Sequence, residues 1–187
     1  LKIVHPGQTI QLGDFRAEFI SVNHSIPDAT AIAIHTPAGT VMFTGDFKVD
    51  YTPIDGVHMD FQRIAQLGKE GVLVLLSDST NVEKPGYTKS EMTVGETFKK
   101  VFSEADGRIL VASFASNLHR VQQVIDAAED FNRKVIVNGR SMEKNVGIAV
   151  DLGYLRVKKD TIIKMNQMKH YKAEEIVMLT TGSQGEP

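Results

Sequence analysis

The stretch Ser21-Val-Asn-His-Ser-Ile-Pro-Asp-Ala29 lies between apolar runs, and the second run after it ends in Gly45-Asp-Phe-Lys48. A histidine therefore follows one predicted strand and an aspartate follows another, which would bring both side chains to one edge of a sheet. Imidazole and carboxylate groups are ligands suited to zinc or manganese. On spacing alone, a hydrogen-bonded surface histidine and a turn aspartate are the commoner explanation, because a metal site needs more than two ligands.

The residues around this stretch predict an antiparallel sheet. From Ile10 to Val22, apolar side chains alternate with Arg16 and Glu18, which indicates a single strand whose charged face is exposed to solvent. Residues 29–44 have the pattern of a hairpin with a glycine-containing turn. Residues 71–78 form a nearly unbroken apolar run that ends in an aspartate, which predicts a strand buried on both faces.

The second half of the chain has a different organisation. Residues 83–88 combine a Pro-Gly turn with loss of periodicity and are the best candidate for a linker. After them the pattern predicts helices over residues 90–105, 116–131 and 142–152, and strands over residues 108–114, 134–137 and 175–180. Strands that alternate with helices imply a parallel sheet with right-handed crossovers. We therefore expect two domains, residues 1–84 and residues 85–187.

The composition excludes several classes of protein. Hydrophobic residues make up 42% of the chain and charged residues 24%, as in ordinary globular proteins. The net charge of -2 gives no global attraction to nucleic acid, and the absence of cysteine leaves His, Asp and Glu as the plausible metal ligands. No apolar run reaches the roughly 18 residues that span a bilayer, and no signal peptide is evident. We expect a cytoplasmic protein that does not bind membranes.

Three motifs in order resemble a known family. His24 in Val-Asn-His-Ser-Ile-Pro-Asp, Asp46 in Phe-Thr-Gly-Asp-Phe-Lys and Asp78 in Leu-Ser-Asp-Ser-Thr-Asn are similar to motifs of the β-CASP branch of the metallo-β-lactamase superfamily, and specifically of the ribonuclease J family. The resemblance covers almost the whole chain, since it continues through residues 112–120, 138–142 and 181–187. It implies an α/β fold: the C-terminal portion of a metallo-β-lactamase-like sheet, followed by a β-CASP lobe with a parallel sheet and helices on both faces.

The resemblance also implies roles for these three residues as the catalytic centre. His24 would be a terminal ligand of one of two divalent ions, zinc or manganese, and Asp46 would bridge the two ions. Asp78 would orient a ligand or the attacking water from beside the ions. An Asx cap at the end of a strand is the plainer explanation of Asp78.

RNA contacts are expected at the ends of two later strands. The candidate residues there are Ser113, Phe114, Ser116, Asn117, His119, Arg120, Arg140 and Ser141. A strand-to-helix junction offers free backbone N–H groups to a phosphate, and Phe114 offers a ring to a base. A helix capped by Ser116, with His119 and Arg120 in solvent, explains the first junction equally well. Gly182-Ser-Gln-Gly185 is either a phosphate-binding loop or a plain turn.

The family resemblance implies a metal-dependent ribonuclease with 5′-to-3′ exonuclease and endonuclease activity in RNA decay and rRNA processing. Such enzymes bind RNA with a 5′-monophosphate in a channel between their two lobes and form homo-oligomers. The family's His-x-His-x-Asp-His motif and its later histidine motifs are absent from this sequence. We therefore expect a fragment that binds metal weakly or not at all and is inactive alone. A small-molecule metallohydrolase of the same superfamily and a non-catalytic phosphate- or RNA-binding α/β module are the alternatives.

Overall fold

The computed structural model describes residues 2–181 and divides the chain into two units, one up to Ser90 and one from Glu91 onward. The first unit consists of β1 (Thr9–Leu12), β2 (Phe15–Ser21), β3 (Thr30–Thr36), β4 (Gly39–Phe43), α1 (Phe61–Glu70) and β5 (Val74–Leu76). The two sheets and their helices confirm the α/β class. The assignment of residues 1–84 and 85–187 to the two family domains stays a prediction.

The second unit alternates helices and strands along the chain. Its elements are α2 (Met92–Glu104), β6 (Ile109–Ser113), α3 (Leu118–Asp130), β7 (Lys134–Asn138), α4 (Arg140–Asp151), β8 (Ile162–Ile163) and β9 (Ile176–Thr181). Two 3₁₀ helices, Met165–His170 and Ala173–Glu175, separate β8 from β9. No helix within residues 2–181 is long and apolar enough to cross a membrane.

The sheet of the first unit has the order β1-β2-β3-β4-β5. The first four strands are antiparallel neighbours, whereas β5 runs parallel to β4. The single strand predicted from Ile10 to Val22 is wrong, because a turn at Gly13 and Asp14 divides these residues into β1 and β2. Gly13 has a φ of 62°, a backbone conformation that glycine adopts without strain.

Helix α1 covers the face of this sheet that carries Glu18, contrary to the prediction. Ile20, which shares that face, is 2% exposed and packs in a cluster with Leu67 of α1. Phe15 and Phe43, on the opposite face, are about half exposed, with values of 50% and 51%. Alternation located the two faces correctly, but it did not reveal that the charged face is the buried one.

Glu18 tolerates burial because basic side chains surround its carboxylate. Arg63 of α1 donates through Nε to Oε1 and through Nη2 to Oε2, the latter at 2.9 Å. The His35 Nε2 atom lies 2.9 Å from the same Oε2 atom. The hydrogen bonds from Arg63, opposed by burial and assisted by the hydrogen bond with His35, lower the pKa of Glu18 to about 2.

We expect this carboxylate to make the first unit sensitive to acid. Because the pKa of Glu18 is lower in the folded than in the unfolded state, its contribution is complete above the unfolded value of 4.5 and is lost as the pH falls toward 2. The ionised Glu18 carboxylate contributes about 2 kcal/mol to the free energy of unfolding of the first unit. Glu18→Gln should remove it at pH 7 and flatten the pH dependence, as measured by hydrogen exchange of the β2 and β3 amides.

Glu70→Gln is the matched control for this prediction. The Glu70 carboxylate also accepts a hydrogen bond from Arg63, at 3.2 Å, but its side chain is 48% exposed. Loss of the Glu70 charge should lower the free energy of unfolding by less than about 1 kcal/mol, because solvent screens exposed ion pairs. Equal effects of the two substitutions would contradict the special role assigned to Glu18.

Strand β5 differs from the prediction of a strand buried on both faces. Val74, Leu75 and Leu76 are 42%, 58% and 51% exposed. Among residues 2–181, only β4 pairs with β5, which lies at the edge of the sheet. The apolar run correctly indicated a strand, but its burial requires layers that the described residues do not supply.

The sheet of the second unit is parallel throughout, as predicted, with the order β6-β9-β7-β8. Helices α2, α3 and α4 pack on one face around Val135, Val177 and Leu179, which are each 0% exposed. The opposite face presents a smaller cluster of buried Ile136, Ile163 and Ile176, on which Met168 of the first 3₁₀ helix packs. Strand β8 was not predicted, because two residues carry no periodicity.

Candidate functional site

Three strands of the first unit end at the same edge of its sheet. Strands β2, β4 and β5 all point the same way, because β2 and β4 are each antiparallel to β3 and β5 is parallel to β4. His24 follows β2, Asp46 follows β4 and Asp78 follows β5, each within three residues. The His24 Nε2 atom lies 3.9 Å from the Asp46 Oδ2 atom. The structure therefore brings the three predicted residues together.

Asn23 fixes the backbone that presents His24. Its buried side chain donates from Nδ2 to the Val57 carbonyl at 2.6 Å and accepts from the Met59 amide at 3.2 Å. The backbone carbonyl of Asn23 accepts from the Lys48 amide at 2.8 Å, which connects the His24 segment to the loop that carries Asp46. The separation between His24 and Asp46 is thus held by the backbone on both sides.

Asp78 is tied to the Asp46 loop through hydrogen bonds in both directions. Its Oδ2 atom accepts from the Phe47 amide at 3.3 Å, and its own amide donates to the Thr44 hydroxyl at 3.0 Å. Its Oδ1 atom accepts from the Thr80 amide at 2.8 Å, which is the Asx cap that the sequence also allowed. The two explanations of Asp78 are therefore compatible, since one carboxylate makes both sets of contacts.

The electrostatic surroundings keep Asp78 ionised. The hydrogen bond from the Thr80 side chain is the largest cause of a lowered pKa at Asp78, followed by the Thr80 amide. The Phe47 amide and the charge of His24 lower the pKa further, and only desolvation opposes them. At neutral pH, this edge of the sheet therefore carries an acceptor-only carboxylate next to an imidazole.

His24 and Asp46 fit a divalent ion as part of a ligand set. Two ligands of one tetrahedral ion lie about 3.4 Å apart, close to the 3.9 Å between His24 Nε2 and Asp46 Oδ2. The Asp46 side chain is 79% exposed, so its carboxylate is accessible to ions from solvent. Within residues 2–181, no three His, Cys, Asp or Glu side chains are grouped so that they could hold an ion.

The second predicted group lies at the carboxyl edge of the parallel sheet. Ser113 at the end of β6 is in register with Thr181 at the end of β9, and Asn138 at the end of β7 is in register with Thr180. The junctions from β6 to α3 and from β7 to α4 therefore flank the end of β9. This edge is where open α/β sheets bind ligands.

The amino end of α3 is already occupied by the protein's own side chains. Asn117, rather than the predicted Ser116, caps the helix by accepting from the Arg120 amide at 3.0 Å. The Arg120 guanidinium donates from Nε to the Glu91 carboxylate, which also accepts from Gln123 at 3.3 Å. A phosphate at this end would have to compete with both of these partners.

Within residues 2–181, no side-chain hydrogen bond caps the amino end of α4. Gly139 precedes the helix with a φ of 109° and contributes no side chain. Arg140 and Ser141 are both exposed there, and Phe114 is exposed at the neighbouring junction. A Cβ atom at Gly139 would lie 3.5 Å from Thr181 Oγ1, so the turn lies close to the end of β9. The predicted loop over residues 182–185 lies outside the described residues.

Three residues that position the site are not evident from the sequence: Asn23, Thr44 and Glu91. Asn23 and Thr44 lie within the quoted motifs, next to His24 and two residues before Asp46. Their contacts join segments more than 30 residues apart, to Val57 and Asp78 respectively. A buried polar residue beside a candidate ligand was the only available signal, and burial is not visible in a sequence.

Comparison with known proteins identifies relatives for the whole chain. Residues 106–187 match the family model described as "Ribonuclease J, beta-CASP domain". Ribonuclease J of Helicobacter pylori is 48% identical over 185 residues, which are 99% of this chain and 27% of that protein. Ribonuclease J of Thermus thermophilus is 47% identical over 188 residues, 100% of this chain and 33% of that protein. Ribonuclease J 1 of Streptococcus pyogenes is 50% identical over 168 residues, 90% of this chain and 30% of that protein.

The chain therefore spans about a third or less of the length of the curated relatives it matches. A solved structure of a protein of unknown function from Enterococcus faecalis resembles it with a TM-score of 0.64, over 97% of this chain and 45% of that chain. The two sequences are 16% identical, so this likeness concerns the fold alone.

Proposed function

Because the chain belongs to the ribonuclease J family, we propose that it is part of a metal-dependent ribonuclease and that its phosphodiester chemistry takes place at the edge formed by His24, Asp46 and Asp78. The observation that supports this most is the 3.9 Å separation of His24 Nε2 and Asp46 Oδ2, which follow two strands, β2 and β4, that run in the same direction. Exonuclease and endonuclease activity, a homo-oligomer and a cytoplasmic location belong to the same proposal.

In this proposal each of the three residues has a distinct task. His24 and Asp46 would hold the divalent ions, through an imidazole and a carboxylate respectively. Bound there, the ions would supply polarisation of the phosphodiester and a hydroxide nucleophile at neutral pH. Asp78 remains ionised and, through the Phe47 amide, keeps the Asp46 loop in position.

We place a phosphate of the RNA at the amino end of α4. Among the described residues, no side-chain hydrogen bond caps the first turn of this 12-residue helix, and the positive end of the helix dipole favours an anion. The exposed Arg140 side chain adds a permanent positive charge. A 5′-monophosphate, with its double charge, is the group that this end would bind best.

Ser141→Asp tests the phosphate site without weakening the fold. An aspartate in the first turn interacts favourably with the helix dipole, so α4 should be at least as stable as before. The added charge should repel a phosphate and weaken binding of 5′-phosphorylated RNA roughly tenfold. Fluorescence anisotropy with 5′-phosphorylated and 5′-hydroxyl oligoribonucleotides would measure both affinities.

Ser141→Asn is the control, because it has a similar size but no charge. It should bind both RNAs like the unsubstituted chain. If the aspartate variant binds 5′-phosphorylated RNA with unchanged affinity, the phosphate does not bind at α4.

A non-catalytic RNA-binding module is the second candidate for the 187-residue chain by itself. The observation that favours it is that no three ligand-type side chains are grouped for an ion within residues 2–181. Metal analysis and an RNA cleavage assay on the same preparation separate the two candidates. Binding of RNA without metal or cleavage would support the module, whereas bound metal with cleavage would support a complete catalytic site.

A further inference from the structure

Two aromatic side chains on the surface of the first unit are stacked on each other in solvent. The rings of Tyr51 and Phe61 have centroids 5.8 Å apart and an interplanar angle of 26°. Tyr51 is 75% exposed and Phe61 is 39% exposed. We call this pair the aromatic platform. Grouped apolar side chains on a protein surface often mark interaction sites, so this pair is a candidate binding surface.

The backbone of Tyr51 is anchored on both sides. Asp50, which is 3% exposed, accepts from the Thr52 amide at 3.0 Å and forms an ion pair with Lys48 at 3.3 Å. The Thr52 hydroxyl donates to the Ser90 hydroxyl at 2.9 Å, and the Ser90 hydroxyl donates to the Thr52 carbonyl at 3.0 Å. Tyr51 is therefore an exposed side chain on a fixed backbone.

Phe61 is fixed in a similar way. It is the first residue of α1, and Asp60 caps that helix by accepting from the Arg63 amide at 2.9 Å. The Asp60 amide donates to the Ser21 carbonyl at 3.0 Å, which attaches the start of the helix to the end of β2. Both rings of the platform are thus attached to anchored backbone and stack on each other.

From this geometry we infer that the aromatic platform binds a base of single-stranded RNA by stacking. A base stacks on any exposed aromatic face, and a ring on a fixed backbone loses little entropy when it does so. Tyr51 lies in the same loop, between β4 and α1, that carries the candidate ligand Asp46. The inference rests on the proposed function, which supplies RNA as the partner.

The test compares RNA with a backbone that has no bases. Binding of oligouridine and of an abasic ribose-phosphate oligomer of equal length would be measured for the unsubstituted chain, Tyr51→Ala and Tyr51→Phe. Tyr51→Ala should bind oligouridine roughly tenfold more weakly and the abasic oligomer unchanged. Tyr51→Phe keeps the ring and should bind both like the unsubstituted chain.

Tyr87→Ala is the matched control, because Tyr87 is fully exposed and stacks on no other ring within residues 2–181. It should leave both affinities unchanged. If Tyr51→Ala binds oligouridine normally, the platform does not bind bases, even though the proposed function stands. A change of oligomeric state in Tyr51→Ala with normal RNA binding would assign the platform to a protein contact and overturn the inference. If the unsubstituted chain binds neither oligomer, the proposed function and the platform both fail.

Discussion

Arg133→Met should lower the free energy of unfolding of the second unit by about 3 kcal/mol. The guanidinium donates to the carbonyls of Gly107 at 2.8 Å, Ala105 at 2.6 Å and Phe102 at 3.4 Å. It also lies 5.9 Å from the centroid of the Phe102 ring. Arg133 is 7% exposed, so methionine would fill its space but leave three carbonyls without donors.

The position of these carbonyls explains why the effect should be large. They belong to the last turn of α2 and the residues that follow it, where a cation also interacts favourably with the helix dipole. Arg133→Lys should lower the free energy of unfolding by about half as much, because one ammonium group cannot reach all three carbonyls. Arg156→Met, at an exposed position, should change stability by less than about 0.5 kcal/mol. Hydrogen exchange of the β7 amides would measure all three variants, and equal values for Arg133→Met and Arg156→Met would contradict the prediction.

Much of the candidate site could be predicted because it depends on local pattern and strand direction. Counting antiparallel strands places the ends of β2 and β4 at one edge, whereas the direction of β5, which runs parallel to β4, is known only from the structure. His24, Asp46 and Asp78 follow those three ends. Their convergence required no knowledge of side-chain packing.

The interactions that position these residues could not be predicted, because they join distant parts of the chain. Arg63 lies 45 residues after Glu18, and Asn23 contacts residues 34 and 36 positions later. A sequence shows that Glu18 alternates with apolar residues, but not that a guanidinium will be available to it. The sequence therefore predicts that the face of β2 with Glu18 is exposed, whereas the structure buries that face.

The order of the strands in the second unit could not be predicted from local sequence patterns either. The alternation of helices and strands predicts parallel neighbours but does not say that β9, the last strand within residues 2–181, inserts between β6 and β7. That order brings Thr180 and Thr181 between the two strand-to-helix junctions. The candidate phosphate site consequently depends on a long-range pairing that only the structure reveals.

The exposed apolar side chains of the first sheet have a physical consequence for experiments. Phe15 and Phe43 on one face, together with Leu75 and Leu76 of the edge strand, lie in solvent within residues 2–181. Edge strands and apolar faces of this kind promote association between chains. Assays of metal and RNA binding therefore need a parallel measurement of oligomeric state.

Asp46→Asn should have the largest effect on activity. The cleanest background is a chimera in which this chain replaces the equivalent segment of Helicobacter pylori ribonuclease J, to which it is 48% identical. Asparagine keeps the size of the side chain but loses the charge with which a carboxylate holds divalent ions. Cleavage of 5′-phosphorylated RNA should fall by about 10²- to 10³-fold in kcat/KM, equivalent to roughly 3 to 4 kcal/mol of transition-state stabilisation.

Two further variants show whether this loss reflects ligation rather than folding. Asp78→Asn should reduce kcat/KM only about 10- to 100-fold, because Asp78 acts on its neighbours through hydrogen bonds. His58→Ala, at an exposed histidine outside the three motifs, should leave kcat/KM unchanged. Metal content should fall in Asp46→Asn and not in His58→Ala. If Asp46→Asn retains kcat/KM within threefold of the chimera, Asp46 is not a metal ligand and the edge formed by the three strands is not the site of cleavage.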